Sequence, residues 1–179
     1  IGLNPRIENS GNDLTRIFYI ERDLSVSMRS LIIKNGKTAG TRYTSYGGAV
    51  FVGYSTDISI DRVTIKDSAS PQGGAMYVMG FAKVTISESE FLSNSSETVG
   101  GGIYLQTPLN ITSSRTLFAN NASVDGGAIF MNFSGVGVFE DNVFENNTAS
   151  SSGGALFSIN SPGVGLFIKR NLFSNNSSG

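Results

Sequence analysis

A glycine pair followed by a short apolar run recurs five times along this chain of 179 residues. The copies are Gly47-Gly48-Ala49-Val50-Phe51-Val52, Gly73-Gly74-Ala75-Met76-Tyr77-Val78, Gly100-Gly101-Gly102-Ile103-Tyr104-Leu105, Gly126-Gly127-Ala128-Ile129-Phe130-Met131 and Gly153-Gly154-Ala155-Leu156-Phe157-Ser158. Their starts are 26, 27, 26 and 27 residues apart. A period of this length is the mark of a solenoid, in which one short unit cannot bury its own apolar face and stacks on the next.

A second motif runs in phase with the first. Phe91-Leu92-Ser93-Asn94, Phe118-Ala119-Asn120-Asn121, Phe144-Glu145-Asn146-Asn147 and Phe173-Ser174-Asn175-Asn176 share the form F-x-x-N. Ile33 and Ile65 hold the Phe position in the two earlier copies. The step from Ile33 to Ile65 is 32 residues, and the surplus falls in the loop from Asn35 to Tyr46. Five and seven residues before the Phe position lie apolar pairs such as Met28 and Val26, Ile60 and Ile58, or Ile86 and Val84. Alternation with a period of two over a few residues is the strand signal. No segment holds helical spacing for the length that a helix needs.

These units predict an all-β fold, a right-handed single-stranded parallel β-helix (a solenoid) of about six rungs of 26–27 residues, with three short strands per rung. Propeller blades need roughly 40 to 50 residues, and leucine-rich repeats need a leucine frame that is absent here. Residues 1–13 form a possible N-terminal cap and residues 14–179 the repeats, which are expected to continue or dock beyond Gly179. Coiling should stack Ile33, Ile65, Phe91, Phe118, Phe144 and Phe173 into one apolar column. The column of Val50, Met76, Ile103, Ile129 and Leu156 should also face inward, the alternative being the flanking Ala and Tyr/Phe columns. Gly47, Gly73, Gly100, Gly126 and Gly153 open the strands that follow them, at a turn that needs glycine's backbone freedom. The F-x-x-N asparagines suit a left-handed turn, and Asn94, Asn121, Asn147 and Asn176 stacked in register form an amide ladder.

One column carries charge. Three residues before the Phe position stand Arg62, Glu88, Arg115, Asp141 and Arg170, with the sign alternating at every rung. In-register stacking sets each charge between two opposite ones, whereas a slipped register sets like charges together.

The paired motifs G-G-A-[I/V/L/M] and F-x-x-N resemble the repeats of chlamydial polymorphic outer membrane proteins. The resemblance covers roughly residues 14–179 and implies a right-handed β-helix at a cell surface, in an autotransporter-like or other extracellular protein, often serving adhesion. The first two F-x-x-N copies degenerate to Ile65–Ser68 and Ile33–Gly36.

Composition narrows the chemistry. Cys and His are both absent, so Ser-His and Cys-His nucleophiles are excluded. The 13 basic and 14 acidic residues leave no basic stripe for nucleic acid. No run approaches the 18 apolar residues of a membrane span. The glycine-rich segments lack the Gly-Lys-Ser/Thr of a phosphate loop. Acids lie near each other at Asp57 and Asp61, Glu88 and Glu90, and Glu140 and Asp141, which keeps open a polysaccharide hydrolase or lyase. Solvated outer charge is the simpler reading of these acids. The sequence therefore predicts no catalytic, cofactor or metal site, and a structural or adhesive extracellular role. The rival readings are a carbohydrate-active β-helix and a non-catalytic glycan-binding module.

Sequons for N-linked glycans occur at Asn94, Asn110, Asn121, Asn132, Asn146, Asn175 and Asn176, all in the second half. Asn110 and Asn132 fall outside the F-x-x-N motif. For Asn94, Asn121 and Asn176 the glycan conflicts with a buried ladder, since glycans need surface. Exposed strand edges at the ends of a coil invite pairing. The expected partners are copies of the chain or neighbouring β-helix segments joined head to tail, with glycans or cell-surface proteins as further candidates.

Overall fold

The computed structural model describes residues 6–8, 15–40, 45–133, 135–160 and 165–179. Every strand pair between successive rungs is parallel, so each turn of the chain lies on the one before it.

The strands of the F-x-x-N motif, from Ile32–Lys34 to Leu172–Ser174, form one sheet, in which Ile33, Ile65, Phe91, Phe118, Phe144 and Phe173 are direct partners. Arg6–Glu8 adds a strand to its edge by pairing with Ile32–Lys34; the rest of the expected cap over 1–13 lies outside the described residues. The alternating segments, Ser25–Arg29 through Gly165–Lys169, make a six-stranded second sheet. The glycine-led strands, Val50–Val52 through Leu156–Asn160, make a third, with Phe18–Ile20 at its edge.

A fourth sheet departs from the predicted three strands per rung. Ala69–Gln72, Ser95–Val99, Ala122–Asp125, Thr148–Ser152 and Ser177–Ser178 pair through residues that read as turn in the sequence. Their side chains carry almost no apolar alternation. Backbone hydrogen bonding to the rung below and above is what makes them strands, and the register shifts between Ser96 and Val99 and between Ser123 and Asp125.

Two apolar clusters result. The inner one contains Ile33, Ile65, Phe91, Phe118 and Phe144 together with Val50, Met76, Ile103 and Ile129, all fully buried, with Leu156 partly buried against it, while Phe173 in the last rung is half-exposed. Each such side chain contributes roughly 1.5–3 kcal/mol by leaving water. Ring centroids are 5.2 Å apart for Phe91–Phe118, 4.8 Å for Phe118–Phe144 and 4.8 Å for Phe144–Phe173, all stacked. The Tyr/Phe column points the other way and builds its own buried cluster of Phe51, Tyr77, Tyr104 and Phe130 on the outer side of the glycine-led strands. The long loop returns there through Tyr46, whose ring lies 5.0 Å from that of Tyr77; residues 41–44 lie outside the described residues.

Glycine is obligatory at two positions of each pair, for different reasons. Gly100 adopts φ +65°, in the left-handed region. Gly101 has no room for a side chain: a Cβ would sit 2.3 Å from the Gly127 carbonyl oxygen in the next rung.

Candidate functional site

Two polar ladders run along the corners of the coil. At the corner after the Phe strand, the Nδ2 of Asn94 donates to the Asn121 Oδ1 at 3.1 Å and that of Asn121 to the Asn147 Oδ1 at 2.9 Å. The Asn147 Nδ2 donates to the Asn176 Oδ1 at 2.8 Å. Each amide also donates back to a main-chain carbonyl: Asn94 to Ile65, Asn121 to Phe91, Asn147 to Phe118 and Asn176 to Phe144. Ser68 replaces Asn at the head of the column and receives Gly36 N–H on its Oγ. The asparagines are not the left-handed residues of the turn. That conformation falls one position earlier, at Asp67, Ser93, Asn120, Asn146 and Asn175.

The other corner repeats this design two residues before the Phe position, in a column outside both sequence motifs. Val63 N–H donates to Ser89 Oγ, Thr116 N–H to Asn142 Oδ1 and Asn142 N–H to Asn171 Oδ1, at 2.8–3.1 Å. Ser113 stands in an otherwise apolar column, and its buried hydroxyl donates to Asn142 Oδ1 at 3.0 Å. The signal was present as a run of Ser89, Thr116, Asn142 and Asn171 at a constant offset from Phe.

The charge column occupies the left-handed residue of this second corner, with φ of 46–56° at Arg62, Glu88, Arg115, Asp141 and Arg170. Its pairing is less continuous than alternation alone suggests. Arg115 meets Glu88 at 3.0 Å, and Arg170 meets Asp141 at 2.8 Å and Glu140 at 2.7 Å. Arg62 instead turns to Asp61 at 2.9 Å, which Arg29 also reaches at 3.1 Å. The Arg62–Glu88 step is uncoupled because Asp61, on the strand just before the corner, competes for Arg62. The hydrogen bond from Arg170 holds the Asp141 carboxyl below its usual value, and that same bond pushes the Arg170 guanidinium up.

The acids singled out from sequence are all engaged. Asp57 lies 3.6 Å from Lys83, Asp61 accepts from Ser87 and meets the two arginines, and Glu90 accepts from Thr64. Glu88 and Glu90 do not share a strand face, since Glu88 sits in the corner and the strand opens at Glu90. Among the described residues no three acidic side chains converge as metal ligands. A groove of about 350 Å³ on the outer face of the alternating sheet is lined by Ser25, Ser27, Asp57, Ser59, Lys83 and Thr85. No helix among the described residues is long and apolar enough to cross a membrane.

The sequons divide sharply. Asn110, Asn146 and Asn175 are exposed. Asn132 is half-buried, and its sequon ends on residue 134, outside the described residues. Asn94 and Asn121 are fully buried and Asn176 is half-buried in the ladder. At Asn94 and Asn121 both hydrogens of each amide nitrogen are already donated.

Parallel rungs, inward apolar columns and polar corner ladders together define a β-helix. The chain matches the family model for the right handed beta helix region over residues 17–179 and belongs to that family, which gives the coil its right hand. No curated protein and no solved structure matches it.

Proposed function

We propose that this chain is an extracellular structural or adhesive β-helix region of a cell-surface protein or fibre, glycosylated and free of catalytic function. The observation that carries the reading is how the polar groups are used. At both corners the amides, hydroxyls and charges that a site would present outward bond instead to the next rung. Such a coil is a stiff rod in which each turn supports the next, and its side faces are long and regular.

The last rung supports joining to a further β-helix turn. Ile168 and Phe173 belong to the inner columns yet are 48% and 44% exposed. A neighbouring β-helix segment or a second copy stacked head to tail would cover them and extend the amide column past Asn176. The similarity of the two motifs to chlamydial surface-protein repeats points the same way, toward adhesion. The groove beside Asp57 and Lys83 favours a glycan-binding face as the second reading, since hydroxyls in successive rungs line it.

Size-exclusion chromatography and electron microscopy of the isolated chain test the reading, together with a screen on pectin, alginate and glycosaminoglycans. End-to-end assemblies and no turnover are expected. Polysaccharide cleavage lost on Asp57→Asn overturns it, and a strict monomer at all concentrations overturns the stacking.

A further inference from the structure

The fold sorts the sequons by what their amide nitrogens are already doing. Transfer of a glycan replaces one Nδ2 hydrogen by a bond to the anomeric carbon of a sugar. The donor is a lipid-linked oligosaccharide pyrophosphate: its anomeric C–O bond breaks, the lipid pyrophosphate leaves, and the displaced hydrogen departs as a proton. A glycosylated Asn thus keeps one Nδ2 hydrogen. It also needs open space around the side chain.

We propose that Asn110, Asn146 and Asn175 are the N-glycan acceptors of this chain, and that Asn94 and Asn121 carry none. Asn146 and Asn175 are left-handed corner residues, at φ 53° each, so their side chains leave the coil at the bend, while the next residue turns inward as the ladder amide. Their Nδ2 groups bond to no described residue, and both side chains are exposed. Asn110 opens the strand Asn110–Ser114 on the outer face of the alternating sheet and is equally exposed. Asn94 and Asn121 differ in each respect. They are fully buried, and each spends one Nδ2 hydrogen on a carbonyl of a neighbouring rung and the other on the next asparagine. A sugar there would remove a ladder bond and place a pyranose inside packed protein. The corner pattern N-N-[S/T], at Asn146-Asn147-Thr148 and Asn175-Asn176-Ser177, therefore splits its two asparagines into an outward acceptor and an inward structural amide. Adjacent rungs lie ~4.8 Å apart, so Asn146 and Asn175 set two glycans along a single edge, between the Phe sheet and the Ser-rich sheet.

The assignment rests on the extracellular placement proposed above. Expression of the full chain behind a secretion signal in a eukaryotic cell line separates the two, because occupancy is read in cells that secrete it whatever the native location. Site-resolved glycopeptide mass spectrometry of the secreted, β-rich protein should find glycans at Asn110, Asn146 and Asn175 and unmodified peptide at Asn94 and Asn121. Thr148→Ala destroys the Asn146 sequon and should remove the mass of one glycan. Ser96→Ala destroys the Asn94 sequon at a hydroxyl that is buried without a hydrogen-bond partner; it should change neither the glycan mass nor the melting temperature. A glycan at Asn94 or Asn121 on folded protein, or any of the three acceptors bare throughout the sample, overturns the assignment.

Discussion

Asn121 donates twice to one atom: its Nδ2 and its main-chain N–H both reach the Oδ1 of Asn147, at 2.9 and 3.0 Å. The same doubled bond links Asn94 to Asn121 and Asn147 to Asn176. Each amide oxygen thus satisfies the turn of the rung before it, and each amide nitrogen reaches the carbonyl of the central residue of a Phe-position strand. The ladder fastens corner to corner through groups that are buried and would otherwise be unpaired.

Asn121→Ala orphans the Asn94 main-chain N–H, removes one of the two acceptors of the Asn94 amide and takes away a donor to the Phe91 carbonyl. A buried group left without its partner costs about 1–3 kcal/mol, so a loss of roughly 3 kcal/mol or more is expected in urea denaturation. A loss under 1 kcal/mol would show that water replaces the amide and that the ladder is not a structural bond.

Phe118 stacks on Phe91 and Phe144 and is fully buried. Phe118→Ala should cost about 3–5 kcal/mol by leaving a cavity, and Phe118→Leu distinctly less. Phe173→Ala, at the half-open last rung, should cost well below Phe118→Ala by the same measurement.

Gly101→Ala sets a methyl against main-chain oxygens of Gly127 and Ala122, at 2.3 and 2.5 Å. Those atoms belong to hydrogen-bonded backbone and cannot rotate aside. The variant should fail to accumulate as soluble protein or melt far below the parent, which expression and circular dichroism would read.

Asp141 is held below its usual value by Arg170. A depressed carboxyl contributes stability that is complete above the ordinary carboxylate value of roughly 4 and fades as pH falls through the folded-state value. Parent protein should therefore lose a little stability on acidification below about pH 4, and Asp141→Asn should lose less over the same interval. Matching denaturation profiles for the two would remove this pair from the account. The contribution is small because both partners are exposed.

Glu88→Lys places like charges at adjacent corner residues, opposite Arg115. The cost of an exposed pair is ~0–1 kcal/mol, and Glu88→Lys with Arg115→Glu should recover it. A double variant no more stable than the single would mean that the Glu88–Arg115 pair adds no stability beyond its neighbours in the column.

The repeat was legible because a coil forces equivalent residues onto one another, so the in-phase Gly pairs and F-x-x-N motifs were enough to predict parallel rungs and the Phe91–Phe118–Phe144 contact order. The period, the inward Phe column and the glycines that alone fit their turns follow from side-chain size and backbone freedom, and so are readable along the chain. The coiled structure alone supplied the fourth strand, because Ser95–Val99 and its counterparts are held by backbone bonds to neighbouring rungs rather than by side-chain alternation. It decided too that Arg62 turns to Asp61 rather than Glu88, a competition between residues that converge on one corner. The division of the sequons into outward Asn146 and inward Asn147 is of the same kind. Two identical side chains one residue apart differ only in which way the bend of the coil points them.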